Sequence, residues 1–149
     1  MKTSLSWKDG MLFNAQAGEN SVSMDATAPM GKEQGMTPKL LVLAGLGGCT
    51  AMDVMALMKK HKQTVTEFQI DVEAEPTSGK HPHVFAKIEI GFHLKGAIDS
   101  AIALESVRLS QTKFCGVSAM MSKAAPIHYT VHVNDAKIGE GTAQFEEIA

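Results

Sequence analysis

Period-2 alternation of apolar and polar residues marks most of this chain, and one long stretch departs from it by being apolar on every side. Residues 4–7 and 11–16 flank the pair Asp9-Gly10, a favoured hairpin turn, and residues 21–26 alternate small apolar with polar side chains. The first quarter therefore predicts a small three-stranded meander. Residues 27–36 are rich in glycine, proline and small side chains and have no period, which predicts a loop. Further on, Phe68, Ile70, Val72 and Ala74 alternate with Gln69, Asp71, Glu73 and Glu75. Val84, Ala86, Ile88, Ile90, Phe92 and Leu94 repeat the pattern at greater length, opposite Lys87, Glu89, His93 and Lys95. Both read as strands buried on one face, joined by a hairpin loop over 76–83. Residues 97–111 carry Ile98, Ile102, Glu105, Arg108 and Leu109 at helical spacing, and a short helix is expected over 114–123, with Cys115 in its first turn. Ile127, Tyr129, Val131 and Val133 alternate with His128, Thr130, His132 and Asn134 as another strand, and the glycine-punctuated tail from Lys137 predicts one short edge strand.

The exception is residues 37–62, TPKLLVLAGLGGCTAMDVMALMKKHK. Thr37 suits a cap, Pro38 suits the first helical position, and Lys59, Lys60 and Lys62 lie where the helix dipole favours cations. Residues 40–58 are apolar nearly all round, so this helix must be covered on every side. A one-sided sheet covers half of it, and the remainder calls for the other helices or a second copy of the chain. The apolar circumference thus predicts a homodimer built around this helix. Gly45, Gly47 and Gly48 each cost about 1 kcal/mol relative to alanine in a helix interior. Close backbone packing against another helix and open space for a small substrate beside Cys49 are the two compensations that fit.

Strands, long helix, long hairpin, two helices and a strand, in that order, segregate helices from antiparallel sheet, an α+β pattern. The length of 149 residues fits one domain spanning 1–149 with its own core, free of disulfide or metal staples. A net charge of -2 leaves no electrostatic footprint for nucleic acid. The first ten residues lack the apolar run of a signal peptide, and the long greasy stretch is broken by its glycines, Thr50 and Asp53. No membrane span and a cytoplasmic location are expected.

Cys49 and Cys115 are the only cysteines. They lack the paired spacing of a zinc site, and in a reducing compartment a link between them is redox-active rather than structural. The ordinary role of a cysteine among apolar neighbours is that of a small inert core residue. Against that role, a helix first turn favours a thiolate at Cys115, an advantage Cys49 shares only if the glycines break the long helix. Six histidines raise the thought of a metal, but His81, His83, His93, His128 and His132 read as solvated surface, and neither a metal nor any other cofactor is expected.

The segments LVLAGLGGCTAMDVM and KFCGVSAMMSKAAPIHYTVHVN, in this order with a strand pair between them, resemble the OsmC/Ohr superfamily of osmotically inducible and organic hydroperoxide resistance proteins. The likeness covers residues from about 38 to 134 and is nearest an OsmC-like branch distinct from the family's proven peroxidases. It implies antiparallel sheets around a long central helix in an intertwined homodimer, with active sites at the subunit interface. It also implies a thiol peroxidase in which Cys49 attacks a small organic hydroperoxide and becomes a sulfenic acid. Cys115 then condenses with it to a disulfide that an external dithiol reduces. Met52, Met55, Met58, Met120 and Met121 are candidates for an apolar pocket wall.

Two departures stand against this. The proven peroxidases use an N-terminal arginine held by a glutamate about ten residues before the peroxidatic cysteine. Here Arg108 is the only arginine, and Lys39 stands at the glutamate's place. A point charge at Lys39 lacks the planar fork of arginine, and Asp53, one turn after Cys49, opposes a thiolate unless it pairs with a lysine or with Arg108. The alternative is therefore a non-catalytic dimer of this fold that binds a small apolar ligand or thiol metabolite at its interface.

Overall fold

A computed structural model describes residues 1–146 of the chain. Contacts divide it into two compact units, Met1–Val42 and the residues from Leu43 onward.

The first unit is the expected meander: β1 (Ser4–Asp9), β2 (Leu12–Ala17) and β3 (Asn20–Met24) pair antiparallel in that order. Gly10, at φ +51°, makes the first turn in the left-handed region, as the Asp9-Gly10 pair predicts. The loop after β3 is organised by the buried Asp25, whose carboxylate accepts the main-chain N–H groups of Ala26, Lys32 and Gln34 at 2.8, 3.0 and 3.2 Å. Those bonds hold its pKa below the usual carboxylate range against the cost of burial. Lys32 also pairs with Asp9 at 2.9 Å, tying the loop to the first hairpin. Leu5, Trp7 and Val22 stay exposed on this sheet.

Helix α1 (Pro38–Lys60) begins as its capping residue predicts: the Leu40 amide donates to Thr37 Oγ1 at 3.4 Å and the Leu41 amide to the Thr37 carbonyl. It ends in a paired closure with Lys62 left-handed at φ 53°, the Lys62 amide donating to Lys59 and the Gln63 amide to Met58. The three glycines do not break it. Leu43, Leu46, Gly47, Thr50, Val54 and Met58 recur at helical spacing as its buried face, while Met52 and Met55 on the other side are exposed.

The second sheet has the order β4 (Thr64–Pro76), β5 (Phe85–Ala97), β6 (Ile127–Val133) and β7 (Ala136–Thr142). β4 and β5 form the long antiparallel hairpin, and β7 returns against β6 as a full strand rather than the short edge piece expected. One pairing departs from an all-antiparallel sheet: β5 and β6 run parallel, from Ile88 opposite Ile127 to Leu94 opposite Val133. A parallel neighbour needs a long crossover, which α2 (Ser100–Leu109), a π-turn (Ser110–Phe114) and α3 (Gly116–Met121) supply. Asp99 caps α2 by accepting from the Ala101 and Ile102 amides. Ile88, Ile90, Phe92, Leu94, Ile127, Val131 and Val133 point from this sheet into one core with Leu46, Val54, Met58, Ala103 and Val107. Gly139 and Gly141 admit Leu104 and the Tyr129 hydroxyl so closely that an added Cβ would lie 2.6 and 2.5 Å away. The glycine punctuation of the tail is thus a packing requirement.

Candidate functional site

Cys49 lies half-buried in the middle of the unbroken α1, so the helix lends it no free N-terminal amides. Cys115 is buried and sits one position before α3 rather than within its first turn, as the capping residue; the Ser118 amide donates to its sulfur at 3.3 Å. Both cysteines are free thiols. Burial pushes the Cys115 thiol up, the Ser118 amide pulls it down, and Cys49, near enough to be felt, adds to the upward push.

The π-turn before Cys115 was not foreseen from the spacing. Its wide hydrogen bond runs from the Cys115 amide to the Ser110 carbonyl at 3.0 Å, and the extra residue turns both Ser110 and Gln111 inward. There they meet Thr50, the neighbour of Cys49. Gln111 Nε2 donates to Thr50 Oγ1 at 2.7 Å, Thr50 and Ser110 hydroxyls lie 2.7 Å apart, and Ser110 donates to Asp53 at 3.0 Å. Asp53 thus bonds to a serine rather than to a lysine or to Arg108. Thr50, Ser110 and Gln111 are fully buried.

A cleft of about 660 Å³ opens at Cys115, lined among others by Arg108, Lys113, Phe114, Gly116 and Phe145. Arg108 is held by Glu105 through two bonds of 2.6 Å, from Nε and Nη2, a planar fork on a carboxylate. The chain's one arginine therefore reaches the neighbourhood of a thiol from the C-terminal half, on α2.

The close packing expected of the glycines is against the sheet rather than against another helix, and only one of the three takes part in it. A Cβ on Gly47 would lie 3.1 Å from a Val72 methyl, so this glycine lets α1 settle on the sheet. Gly45 and Gly48 face open space, with nothing within 4 Å of an added Cβ. Gly48→Ala is accordingly expected to stabilise the chain by about 1 kcal/mol through helix propensity, whereas crowding at Val72 cancels that gain in Gly47→Ala. Urea denaturation of the two variants reads this directly, and equal shifts would refute the assignment.

The candidate histidines and their charged neighbours lie on the outer sheet face and in the loop after β4. Lys87 pairs with Glu89 at 2.8 Å, His93 stacks on His132 with ring centres 4.8 Å apart, and His93 Nε2 lies 3.3 Å from Asp71. His81 and His83 pack edge to face in the loop after β4, and His128 meets the Thr142 hydroxyl at 3.2 Å. Among the described residues no three His, Cys, Asp or Glu side chains converge as metal ligands would. Helix α1 is long and apolar enough to cross a membrane by length and composition alone, yet one face of it lies in the core just described.

Comparison with known proteins places these features in context. A family model described as OsmC-like protein matches residues 31–137. The Escherichia coli protein YhfA is 27% identical over 135 residues, covering 89% of this chain and 98% of its own length. Among solved structures, a hypothetical protein from Aquifex aeolicus superposes with a TM-score of 0.80 at 23% identity, over 98% of this chain and 97% of the other. An organic hydroperoxide resistance protein from Elizabethkingia anophelis superposes with a TM-score of 0.66 at 13% identity, over 90% and 94% of the two chains.

Proposed function

This chain belongs to the OsmC-like family, and on that footing we propose that it is a thiol-dependent peroxidase for small organic hydroperoxides, working as a cytoplasmic homodimer. Two free thiols near enough for Cys49 to act on Cys115 support this reading. The half-buried Cys49 is the attacking sulfur. Its thiolate takes the distal oxygen of the hydroperoxide, the O–O bond breaks, and the alcohol leaves with a proton while sulfur becomes a sulfenic acid. Cys115, kept as a thiol by burial, displaces the hydroxyl as water and closes a disulfide. An external dithiol reduces that disulfide by exchange and leaves as a disulfide itself. The cytoplasm keeps such thiols reduced between turnovers.

Arg108, held by Glu105, and Lys113 line the cleft at Cys115, so the cations of this site stand on the side of the resolving thiol. Support for the dimer comes from unspent apolar surface. Met52 and Met55 on α1, Met120 on α3 and Leu5, Trp7 and Val22 on the first sheet are exposed in the single chain, and a second copy is the partner that buries such surfaces in a symmetric oligomer.

The test mixes purified protein with an alkyl hydroperoxide and a dithiol and follows peroxide loss. Cys49→Ser is expected to reduce consumption to the uncatalysed rate. Undiminished consumption by that variant would sink the reading. A wild-type protein without activity would instead favour the non-catalytic alternative, a binder of an apolar ligand or thiol metabolite, for which the mid-helix place of Cys49 already speaks.

A further inference from the structure

Three fully buried polar side chains joined to one half-buried carboxylate are unusual beside an otherwise apolar core. Each would be costly if left without partners, and apolar replacements of the same shape would serve stability as well. Such a cluster fixes an arrangement more than it adds stability. The direction of its bonds follows from its end. A carboxylate only accepts, so Ser110 donates to Asp53; Thr50 must then donate to Ser110, and the Thr50 oxygen is left to accept from Gln111. Every hydroxyl proton points toward Asp53, and the order is unique as long as Asp53 is a carboxylate.

The ends of this chain of bonds are attached to the two cysteines. Thr50 and Asp53 belong to the turn of α1 that begins at Cys49, and Ser110 and Gln111 belong to the π-turn whose last hydrogen bond is made by the Cys115 amide. The main-chain carbonyl of Gln111 accepts from the Gln144 main-chain amide at 3.1 Å, which leaves the π-turn little freedom to slide. We propose that Thr50, Ser110, Gln111 and Asp53 are positioning residues for the two-thiol site, clamping the Cys49 turn of α1 to the π-turn of Cys115 and so setting how readily the two sulfurs meet.

The inference rests on the two-thiol part of the proposed function, though not on the peroxide. It is tested with diamide, a two-electron oxidant: Cys49 adds to its N=N bond, Cys115 displaces the adduct, and the S–S bond forms as diamide leaves reduced to the hydrazine. Closure is followed on the full chain by loss of free thiols, with mass spectrometry to identify the Cys49–Cys115 bridge. Thr50→Val, which keeps the shape and removes the hydroxyl, is expected to slow closure by about ten- to a hundredfold. Thr50→Ser restores it, and Asp53→Asn retains it, because the asparagine carbonyl oxygen accepts from Ser110 as the carboxylate does. Should Thr50→Val aggregate, Asp53→Ala cuts the same chain from its half-buried end. Mere packing at Thr50 would leave valine as fast as threonine, and that result overturns the clamp while leaving the two-thiol reading intact. A wild-type protein that forms no bridge overturns both.

Discussion

Cys115→Ser is expected to consume about one equivalent of hydroperoxide per Cys49 and then stop, with turnover at least about a hundredfold below wild type in the presence of a dithiol. The first chemical step needs only Cys49, and the sulfenic acid it leaves has lost the partner that would convert it to a disulfide. A sulfenic-acid trap such as dimedone should therefore label Cys49 in this variant and not in wild type. Sustained turnover by the serine variant would remove Cys115 from the mechanism. The same substitution carries a pH signature. Burial raises the pKa of Cys115 in the folded chain above its unfolded value. The stability this confers is fully present below the ordinary thiol value of about 8.5 and is lost as pH rises through the higher folded value. Tyr129, also pushed up by burial, acts in the same sense, so the alkaline loss is shared. The reduced wild-type protein should lose more stability between neutral and alkaline pH than Cys115→Ser does, and denaturation curves at the two pH values measure the difference. Equal losses would mean that Cys115 does not contribute.

Phe92→Ala is expected to destabilise the chain by about 3–5 kcal/mol, a large share of what a domain of this size possesses. Phe92 is fully buried on β5, the strand that pairs antiparallel with β4 and parallel with β6, and it lies between Ile70 and Val131 in register. Its ring meets Tyr129 edge to face with centres 6.3 Å apart, a contact that alanine forfeits along with the buried volume. Guanidinium denaturation monitored by far-UV circular dichroism reads the loss. A change below about 1 kcal/mol would show that the site collapses around the smaller side chain and that β5 is not the keystone of this core.

Much of this protein could be read one residue at a time. The alternation through Phe68, Ile70 and Val72, the Asp9-Gly10 turn, the Thr37-Pro38 start and the apolar run around Cys49 are local patterns, because strand and helix periods and caps are set by neighbours within about four residues. Family membership was legible for the same reason, carried by two short stretches around Cys49 and Cys115. The clamp was not. Thr50 stands out only as a polar interruption of a greasy helix and Asp53 also as a charge that opposes a Cys49 thiolate, and nothing near them names Ser110 and Gln111, some 60 residues on, as their partners. Thr50 on the inner face of an apolar helix, with Asp53 one turn on, was the available signal, since burial demands hydrogen bonds.

What the sequence determined by itself, then, is the set of elements, their buried faces and the two thiols. Tertiary structure alone decided the parallel pairing of β5 with β6, the π-turn that swings Ser110 and Gln111 inward, the Glu105 fork on Arg108 and the approach of Cys49 to Cys115. Periodicity says which side of an element is apolar. It is silent on which distant polar group meets which, because that choice is made only when the whole core packs and every buried donor must find an acceptor.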